Sequence, residues 1–222
     1  MLAILSYEVD MTDQSDAETG WRGSYEGWLE AAYEALVENG IDAVKILPLA
    51  NRLKLSRTSF YWHFKDRETL LQALASRWDT RTTAPLVAAA SSYAETEAEA
   101  LLNVIGCFLR EETFDDRLEF AVRSWALQDD RIMERVRAAD SLRLTALCDL
   151  LRKWGHEPID ADVRARTIYL AQIGYISMQV REPLALRMAR IPNYVEIYSG
   201  GKAPEPREMA RFYARHDYVP VS

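Results

Sequence analysis

The chain has 222 residues, of which 49% are hydrophobic, 27% charged and 10% aromatic. This composition supports a sizeable globular core and excludes a mainly disordered or low-complexity chain. With 2 Cys and 3 widely separated His, a disulfide scaffold is excluded, and neither a metal site nor a cofactor is expected. No apolar run approaches the ~20 residues of a membrane span, and no secretory signal is visible. We therefore expect a cytoplasmic protein that has no membrane partner.

Charge is distributed unevenly along the chain. The net charge is −7, and residues 1–20 carry five acids and no base, which predicts an acidic, flexible tail over residues 1–22. Residues 45–67 carry six bases against Asp66 alone, a local net charge of +5. A basic patch of this kind attracts DNA even in an acidic protein.

The N-terminal third has helical periodicity with recognisable helix ends. Apolar spacing predicts a helix over residues 24–40, which ends at Asn-Gly, followed by a short helix over residues 46–53. Ser56 can cap a further helix over residues 57–64, and Asp66 can cap the next one. These elements form the basis of a predicted domain over residues 23–82.

The remainder, residues 83–222, is also predicted to be helical. The predicted helices cover residues 97–111, 117–126, 132–154, 161–188 and, more weakly, 208–216. Pro183 should kink or shorten the fourth of these, and Pro192 to Pro206 should be irregular. The acid pairs at 115/116, 129/130 and 160/162 are interpreted as helix caps. Because no segment alternates with period two, the fold class is predicted to be all-α.

Residues 40–74 contain a short helix, a three-residue turn and a second short helix that begins with basic and hydroxyl residues. This is the layout of a helix-turn-helix, whose second helix enters the major groove of DNA.

The order and spacing of this segment resemble the DNA-binding domain of the TetR family of bacterial repressors. The residues that carry the resemblance are Gly40, Ala50, Tyr61-Trp62-His63-Phe64, Asp66-Arg67-Glu68 and Leu70-Leu71. The chain departs from the family pattern at Lys54, where Gly is usual, and at Lys45, where Ser or Thr is usual. The resemblance implies an N-terminal three-helix helix-turn-helix domain joined to a larger helical ligand-binding and dimerisation domain. It also implies a repressor without catalytic activity, which binds palindromic operator DNA as a homodimer and is released by a small-molecule effector.

The candidate DNA-binding residues follow from this layout. Arg57 can bind guanine bidentately, and Thr58 can contact thymine or phosphate. By resemblance, Tyr61 and His63 lie against the DNA backbone, whereas Trp62 fits either a DNA-facing or a packing position. The full predicted set is Lys45, Ser56, Arg57, Thr58, Ser59, Tyr61, Trp62, His63, Lys65 and Arg67.

The candidate ligand-binding residues lie in the C-terminal region, where the resemblance implies a cavity. They are Phe108, Phe120, Arg123, Trp125, Tyr169, Gln172 and Tyr175. The uncharged stretch 168–180 is predicted to be covered by a second copy of the chain, with helix 132–154 completing the interface.

Alternative interpretations remain open. They are regulation by a partner protein, regulation by oxidation of Cys107 or Cys148, and an enzyme or binding module that contains a helix-turn-helix.

Overall fold

A computed structural model describes residues 23–220 of the chain, so the predicted tail over residues 1–22 lies outside the described residues. Within residues 23–220 every regular element is helical, which confirms the all-α prediction. No helix in that range is long and apolar enough to cross a membrane. The chain divides into two compact units, one ending at Leu74 and the other beginning at Ala75. The predicted domain boundary at residue 82 stays a prediction.

The N-terminal unit is built from short helices with clear end signals. Its helices are α1 (Tyr25–Asn39), α2 (Ile46–Leu53), α3 (Arg57–Tyr61) and most of α4 (Arg67–Trp78). The Ser24 hydroxyl caps α1 by accepting from the Gly27 amide at 3.1 Å. Gly40 has φ of 78°, a conformation that favours glycine, and it turns the chain out of α1.

An aromatic core holds α3 in place. Phe60 packs edge-on against Trp28 at a centroid distance of 5.3 Å and stacks on Phe64 at 5.5 Å. Tyr25 of α1 stacks on Phe64 at 4.7 Å. Because Phe60 and Phe64 are almost fully buried, α3 is anchored through its inner face and presents its other faces outward.

The C-terminal unit contains the longer helices. A π-helical segment (Asp79–Thr83) is followed by α5 (Ala84–Ser91), α6 (Glu97–Cys107), α7 (Asp116–Ala126), α8 (Asp130–Lys153), α9 (Pro158–Ser177), α10 (Leu184–Ser199) and α11 (Pro206–Arg215). Its apolar core joins these helices through buried residues such as Leu86, Leu101, Leu147, Ile168 and Val195.

Several predicted helix bounds were wrong. The third helix ends at Tyr61 rather than near residue 64, and the helix from Glu97 ends at Cys107. The predicted helix 161–188 is two helices, because α9 ends at Ser177 and α10 begins after Pro183.

The predicted irregular stretch from Pro192 was wrong up to Ser199, since Pro192 lies inside α10, whereas residues 200–205 are irregular as predicted. Met188, Ile191, Val195 and Tyr198 are buried at helical spacing on one face of α10. Their burial outweighs the cost of a proline in a helix interior, which removes one hydrogen bond.

The aspartate pairs behave largely as predicted. Asp115 caps α7 by accepting from the Leu118 amide at 2.9 Å, and Asp129 caps α8 by accepting from the Arg131 amide at 3.0 Å. Asp160 does not cap α9, because its carboxylate binds the side chains of His156 and Arg164.

Candidate functional site

The turn between α2 and α3 has a left-handed residue at its start. Lys54 has φ of 58° and ψ of 40°, and the Leu55 amide donates to the Ala50 carbonyl at 2.9 Å. The position that usually holds glycine in the family therefore does require positive φ, and Lys54 adopts it against the steric preference of an L-residue. Ser56 then caps α3, with its hydroxyl 3.4 Å from the Ser59 amide.

The predicted DNA-binding residues lie mostly on one exposed segment. Trp62 is 81% exposed, which excludes packing against another described helix. Ser59 and Arg67 are half-buried. The exposed members of the predicted set are Lys45, Ser56, Arg57, Thr58, Tyr61, Trp62, His63 and Lys65.

Not all the basic residues counted over 45–67 are available to a partner. The Arg52 guanidinium forms ion pairs at 3.0 Å with both Glu34 and Glu38 of α1. The hydrogen bond to Glu38 is the main reason that the pKa of Arg52 is raised. Local charge counting therefore overstated the patch, since Arg52 is neutralised within the unit.

The structure also gives Arg67 a role inside the unit. Its Nε donates to the Val44 carbonyl at 2.5 Å, and its Nη2 donates to the Ile41 carbonyl at 3.1 Å. These bonds hold the loop that leads into α2, so we leave Arg67 out of the DNA-facing set.

The four bases that remain are exposed. They are Lys45, Lys54, Arg57 and Lys65, and none of them pairs with a carboxylate among residues 23–220. We call these four residues the exposed bases. Their charges are free to meet an anionic partner without first breaking an ion pair within the described chain.

Two further residues fix the edges of this segment. The His63 Nε2 lies 2.5 Å from the Gly23 carbonyl and so donates to it, which ties the end of α3 to the start of α1. The Asp66 carboxylate caps α4 by accepting from the Thr69 amide at 2.8 Å. That backbone hydrogen bond is the main cause of the lowered pKa of Asp66.

In the C-terminal unit, the predicted ligand-binding residues separate into two groups. Phe108, Gln172 and Tyr175 line a cleft between α6, α9 and α10. The other residues of this cleft are Ile105, Leu109, Glu182, Arg187, Arg190, Ile191 and Tyr194. The volume that the centre of a water molecule can reach is about 30 Å³, so the cleft is narrow in this conformation.

The other predicted ligand-binding residues lie elsewhere. Trp125 is 4% exposed in the core, and neither it nor Phe120 lines this cleft. Arg123 and Tyr169 belong to a buried polar cluster instead. The Arg123 Nη2 donates to the Tyr169 hydroxyl at 2.9 Å, and that hydroxyl donates to Asp140 at 2.6 Å.

The centre of this cluster is an ion pair between two side chains with 0% exposure, Arg143 and Glu119. The Arg143 Nη1 lies 2.8 Å and Nη2 lies 3.0 Å from the two carboxylate oxygens of Glu119. Trp78 donates its indole N–H to Glu119 at 2.6 Å, and Arg143 also donates to Thr82 at 2.8 Å and to Thr83 at 3.1 Å. We call this group the buried charge cluster. It joins the π-helical segment to α7 and α8.

Sequence reasoning missed this ion pair, although a signal was present. Arg143 continues the apolar face of α8 formed by Val136, Ala139, Leu147 and Leu150. An arginine on such a face requires a buried carboxylate partner, because an unpaired charge is too costly there. The charged residues of the cleft, Glu182, Arg187 and Arg190, were also missed, because they lie around a predicted break in a helix.

The two thiols are poor nucleophiles in this structure. Burial raises the pKa of Cys107 to about 12, and burial is also the main cause of the raised pKa of Cys148. Both thiols are therefore protonated at neutral pH, which disfavours redox sensing through either one.

The geometry of α2, the turn and α3 defines a helix-turn-helix domain. Residues 29–74 match the family model for bacterial regulatory proteins of the tetR family. The tetracycline repressor protein class D of Escherichia coli is 42% identical over 50 residues, which cover 22% of this chain and 23% of that protein. The class H repressor of Photobacterium damsela subsp. piscicida gives the same values. The match thus spans about a quarter of these relatives.

Solved structures resemble the chain over most of its length. Mycobacterium smegmatis AmtR has a TM-score of 0.59 at 16% identity, covering 89% of this chain and 96% of that chain. Salmonella enterica GusR has a TM-score of 0.58 at 14% identity, with 86% and 93% covered. Bacillus subtilis FadR, solved with stearoyl-CoA, has a TM-score of 0.57 at 16% identity, with 81% and 100% covered. At these identities the likeness concerns the fold alone. The helix-turn-helix match identifies residues 29–74 as a TetR-family DNA-binding domain.

Proposed function

We propose that this protein is a transcriptional repressor that binds palindromic operator DNA as a homodimer and is released by a small-molecule effector. The observation that carries the proposal is the set of four exposed bases in the helix-turn-helix segment, which have no carboxylate partners within residues 23–220. In this proposal the protein has no catalytic activity.

In this proposal the residues of α3 divide the work of recognition. Arg57 and Thr58, exposed at the start of α3, read base edges in the major groove. Lys45, Lys65 and the hydroxyl of Tyr61 bind phosphates, which position the domain without reading sequence. Trp62 is exposed and does not pack in the core, and it contacts the sugar-phosphate backbone of the DNA.

Dimerisation is supported by an apolar stripe on the outer side of the C-terminal unit. On α9, Ile159, Val163 and Leu170 are exposed at helical spacing, while Ala161, Ala165 and Ile168 face the core. On α10, Leu186 and Ile197 are exposed. Apolar stripes of this kind are covered in symmetric dimers, and a palindrome requires a two-fold axis. We therefore propose that α9 and α10 form the dimer interface. This replaces the pairing predicted from sequence, in which helix 132–154 (α8) accompanied the stretch 168–180.

A variant that tests the dimer must place a charge on the exposed apolar stripe and not in the core of the unit. Ile176 packs against the core, so a charge at this position would disturb the fold. Leu170 is 57% exposed and is the better choice. Leu170→Glu should yield folded monomers by light scattering, whereas a wild-type protein that is monomeric at micromolar concentration would contradict the dimer.

The DNA part of the proposal is tested by selection from random duplexes followed by binding at several salt concentrations. We expect a palindromic site with two half-sites about one helical turn apart. Because each phosphate contact releases counterions, the logarithm of affinity should fall linearly with the logarithm of salt concentration. Recovery of no palindrome, together with salt-independent binding, would refute operator recognition.

The effector part is supported by the cleft, which joins apolar and polar side chains as small-molecule sites do. An effector acts only by binding one conformation of the regulator better than another, and a difference of ~1–3 kcal/mol changes operator affinity 5- to 150-fold. The redox alternative has less support, because the pKa of both thiols is raised.

A further inference from the structure

The cleft between α6, α9 and α10 has an apolar lining and two cationic side chains. Ile105, Phe108 and Ile191 contribute apolar surface, and Arg187 and Arg190 contribute guanidinium groups. A cleft that served a purely apolar ligand would not need two arginines. The polar side therefore determines which class of ligand fits.

One arginine already holds a carboxylate of the chain itself. The Arg190 Nη1 donates to both carboxylate oxygens of Glu182, at 2.8 and 2.9 Å. Glu182 lies in the connection between α9 and α10, and its side chain is only 18% exposed although its neighbours in the connection are exposed. The connection thus folds one carboxylate into the cleft.

The second arginine has no such partner. The Arg187 Nη2 donates to the Phe108 carbonyl at 3.0 Å, and no carboxylate among residues 23–220 pairs with Arg187. Two positive charges and one negative charge therefore meet in the cleft. The cleft thus favours an anionic group over a cationic one.

Neutral hydrogen-bonding groups complete the polar side. The hydroxyls of Tyr175 and Tyr194 lie 2.9 Å apart, and the Arg190 Nη1 lies 3.3 Å from the Tyr175 hydroxyl. Arg190 contacts both Glu182 and Tyr175. If Glu182 moved away, the Arg190 guanidinium and the Tyr175 hydroxyl would both be available at the position that the Glu182 carboxylate had occupied.

We propose that the effector of this regulator is a small amphipathic monocarboxylate, and that its carboxylate displaces Glu182 from Arg190. The inference rests on the proposed function, because it names the ligand class of the same cleft. Both oxygens of the ligand carboxylate accept from Arg190 in place of the two Glu182 oxygens. The apolar body of the ligand lies among Ile105, Phe108 and Ile191. A neutral ligand cannot replace an ion pair, whereas one ligand carboxylate replaces the one Glu182 carboxylate and leaves the net charge of the cleft unchanged.

The displacement also connects binding to a change in the chain. With Glu182 in place, the centre of a water molecule can reach only about 30 Å³ of the cleft, so the ligand carboxylate takes the place of the Glu182 carboxylate rather than joining it. The connection that carries Glu182 is largely exposed and contains Gln179 at φ of 51°, a conformation that is unfavourable for glutamine. Few buried contacts hold such a segment, so it can leave the cleft when its carboxylate is replaced.

The test uses the full chain and matched probes. Octanoate and 4-phenylbutyrate, with their neutral amides, are titrated into the protein by calorimetry up to millimolar concentration. We expect each carboxylate to bind about tenfold or more tightly than its amide, because a charge-assisted hydrogen bond is stronger than a neutral one. Arg190→Gln should remove this preference. Glu182→Gln should increase carboxylate affinity about tenfold, because the internal competitor has lost its charge.

Controls separate the ligand site from general charge effects. Arg207→Gln removes an exposed arginine of α11 that does not line the cleft, and it should leave the affinity of both probes unchanged. Arg190→Lys keeps the charge if Arg190→Gln unfolds, and it should retain a weakened preference for the carboxylate. Melting temperatures of all variants show that they are folded.

Each outcome decides the proposal. Equal affinity for carboxylate and amide, absence of binding by every probe, or unchanged affinity in Glu182→Gln would overturn it. Operator affinity measured on the same samples distinguishes this failure from failure of the proposed function. Operator binding without carboxylate binding refutes the ligand class alone, whereas carboxylate binding by a protein that binds no operator refutes the regulatory role and leaves the ligand class in place.

Discussion

The two compact units use arginine in opposite ways. In the N-terminal unit, Arg57 stands at the start of α3, exposed and without a carboxylate partner among the described residues. In the C-terminal unit, Arg143 is completely buried. Its guanidinium pairs with Glu119 and donates hydrogen bonds to Thr82, Thr83 and Tyr169. The first arrangement leaves charge available for a partner, and the second uses it to connect helices inside the unit.

This difference shows how function and stability can be separated in one chain. Removing an exposed, unpaired charge leaves no group buried without a partner, so the fold should tolerate it. Removing Arg143 takes away the two-point partner of the buried Glu119 carboxylate, which keeps only its weaker set of donors from Arg123 and Trp78. The following experiments test this contrast, beginning with the largest expected effect.

Arg143→Met should lower the free energy of unfolding by about 3–5 kcal/mol, because Glu119 would remain buried without its main cation. Urea denaturation of the purified protein measures this. The double variant Arg143→Met/Glu119→Met should recover part of the loss. As a control, Arg207→Met removes an exposed ion pair and should cost less than about 1 kcal/mol. A loss in Arg143→Met no larger than in the control would show that the cluster is not required.

Arg57→Ala should weaken operator binding by ~1–3 kcal/mol and change the unfolding free energy by less than about 0.5 kcal/mol. Arg52→Ala is a matched control, because Arg52 lies five positions away but is paired with Glu34 and Glu38. It should weaken operator binding less than Arg57→Ala does. If both variants bind operator equally, the exposed and paired arginines do not differ in function. Fluorescence anisotropy with a labelled operator gives both values.

Lys54→Gly should stabilise the protein by roughly 1 kcal/mol, because glycine adopts φ of 58° without the steric cost of a Cβ. Lys54→Ala removes the same charge but keeps the Cβ, so it should give no such gain. Thermal unfolding of the two variants separates backbone strain from charge. Equal melting temperatures would show that the strain is relieved in some other way.

The histidines of the C-terminal unit should give the smallest effect, seen in the pH dependence of stability. Burial opposes the charge of His156, but hydrogen bonds to Glu97 and Asp160 outweigh burial and raise its pKa above 6.5. The charged form therefore stabilises the fold fully below pH 6.5, and this contribution is lost as pH rises through the folded pKa. For His216, burial lowers the pKa, so its contribution is present above pH 6.5 and is lost as pH falls.

Denaturant unfolding across pH 5 to 9 checks this pair of signs. His156→Gln should remove the decline in stability above pH 6.5, and His216→Gln should reduce the decline on the acid side. If both variants changed the pH dependence of the unfolding free energy in the same direction, the opposite pKa shifts of His156 and His216 would be contradicted.

The helix-turn-helix could be predicted from sequence because its signals are local. Ser56 and Asp66 cap helices where the sequence suggested, and Phe60 and Phe64, four residues apart, are both buried. A cap or an i,i+4 pair is decided by neighbours in the chain, so one sequence suffices to find it.

The interior of the C-terminal unit could not be predicted in the same way. The partners of Arg143 come from segments 24 to 61 residues away, and nothing local shows that Glu119 would meet it. Tyr169 and Arg123 were chosen as ligand contacts from residue type alone, and the structure places both beside Asp140. The cleft residues Glu182 and Arg190 depend on where α9 ends, and Pro183 indicated that the predicted helix was kinked or shortened without locating its end at Ser177.

The narrowness of the cleft has a consequence for sensitivity. The centre of a water molecule can reach only about 30 Å³ of the cleft, so in the proposed mechanism an effector binds the molecules in which Glu182 has moved out. An open fraction of ~1% makes the observed dissociation constant about 100-fold weaker than the intrinsic one. If the protein is the proposed effector-released repressor, its response threshold is set by how tightly Arg190 holds Glu182, and a substitution that never touches the effector moves the effector concentration that releases the operator.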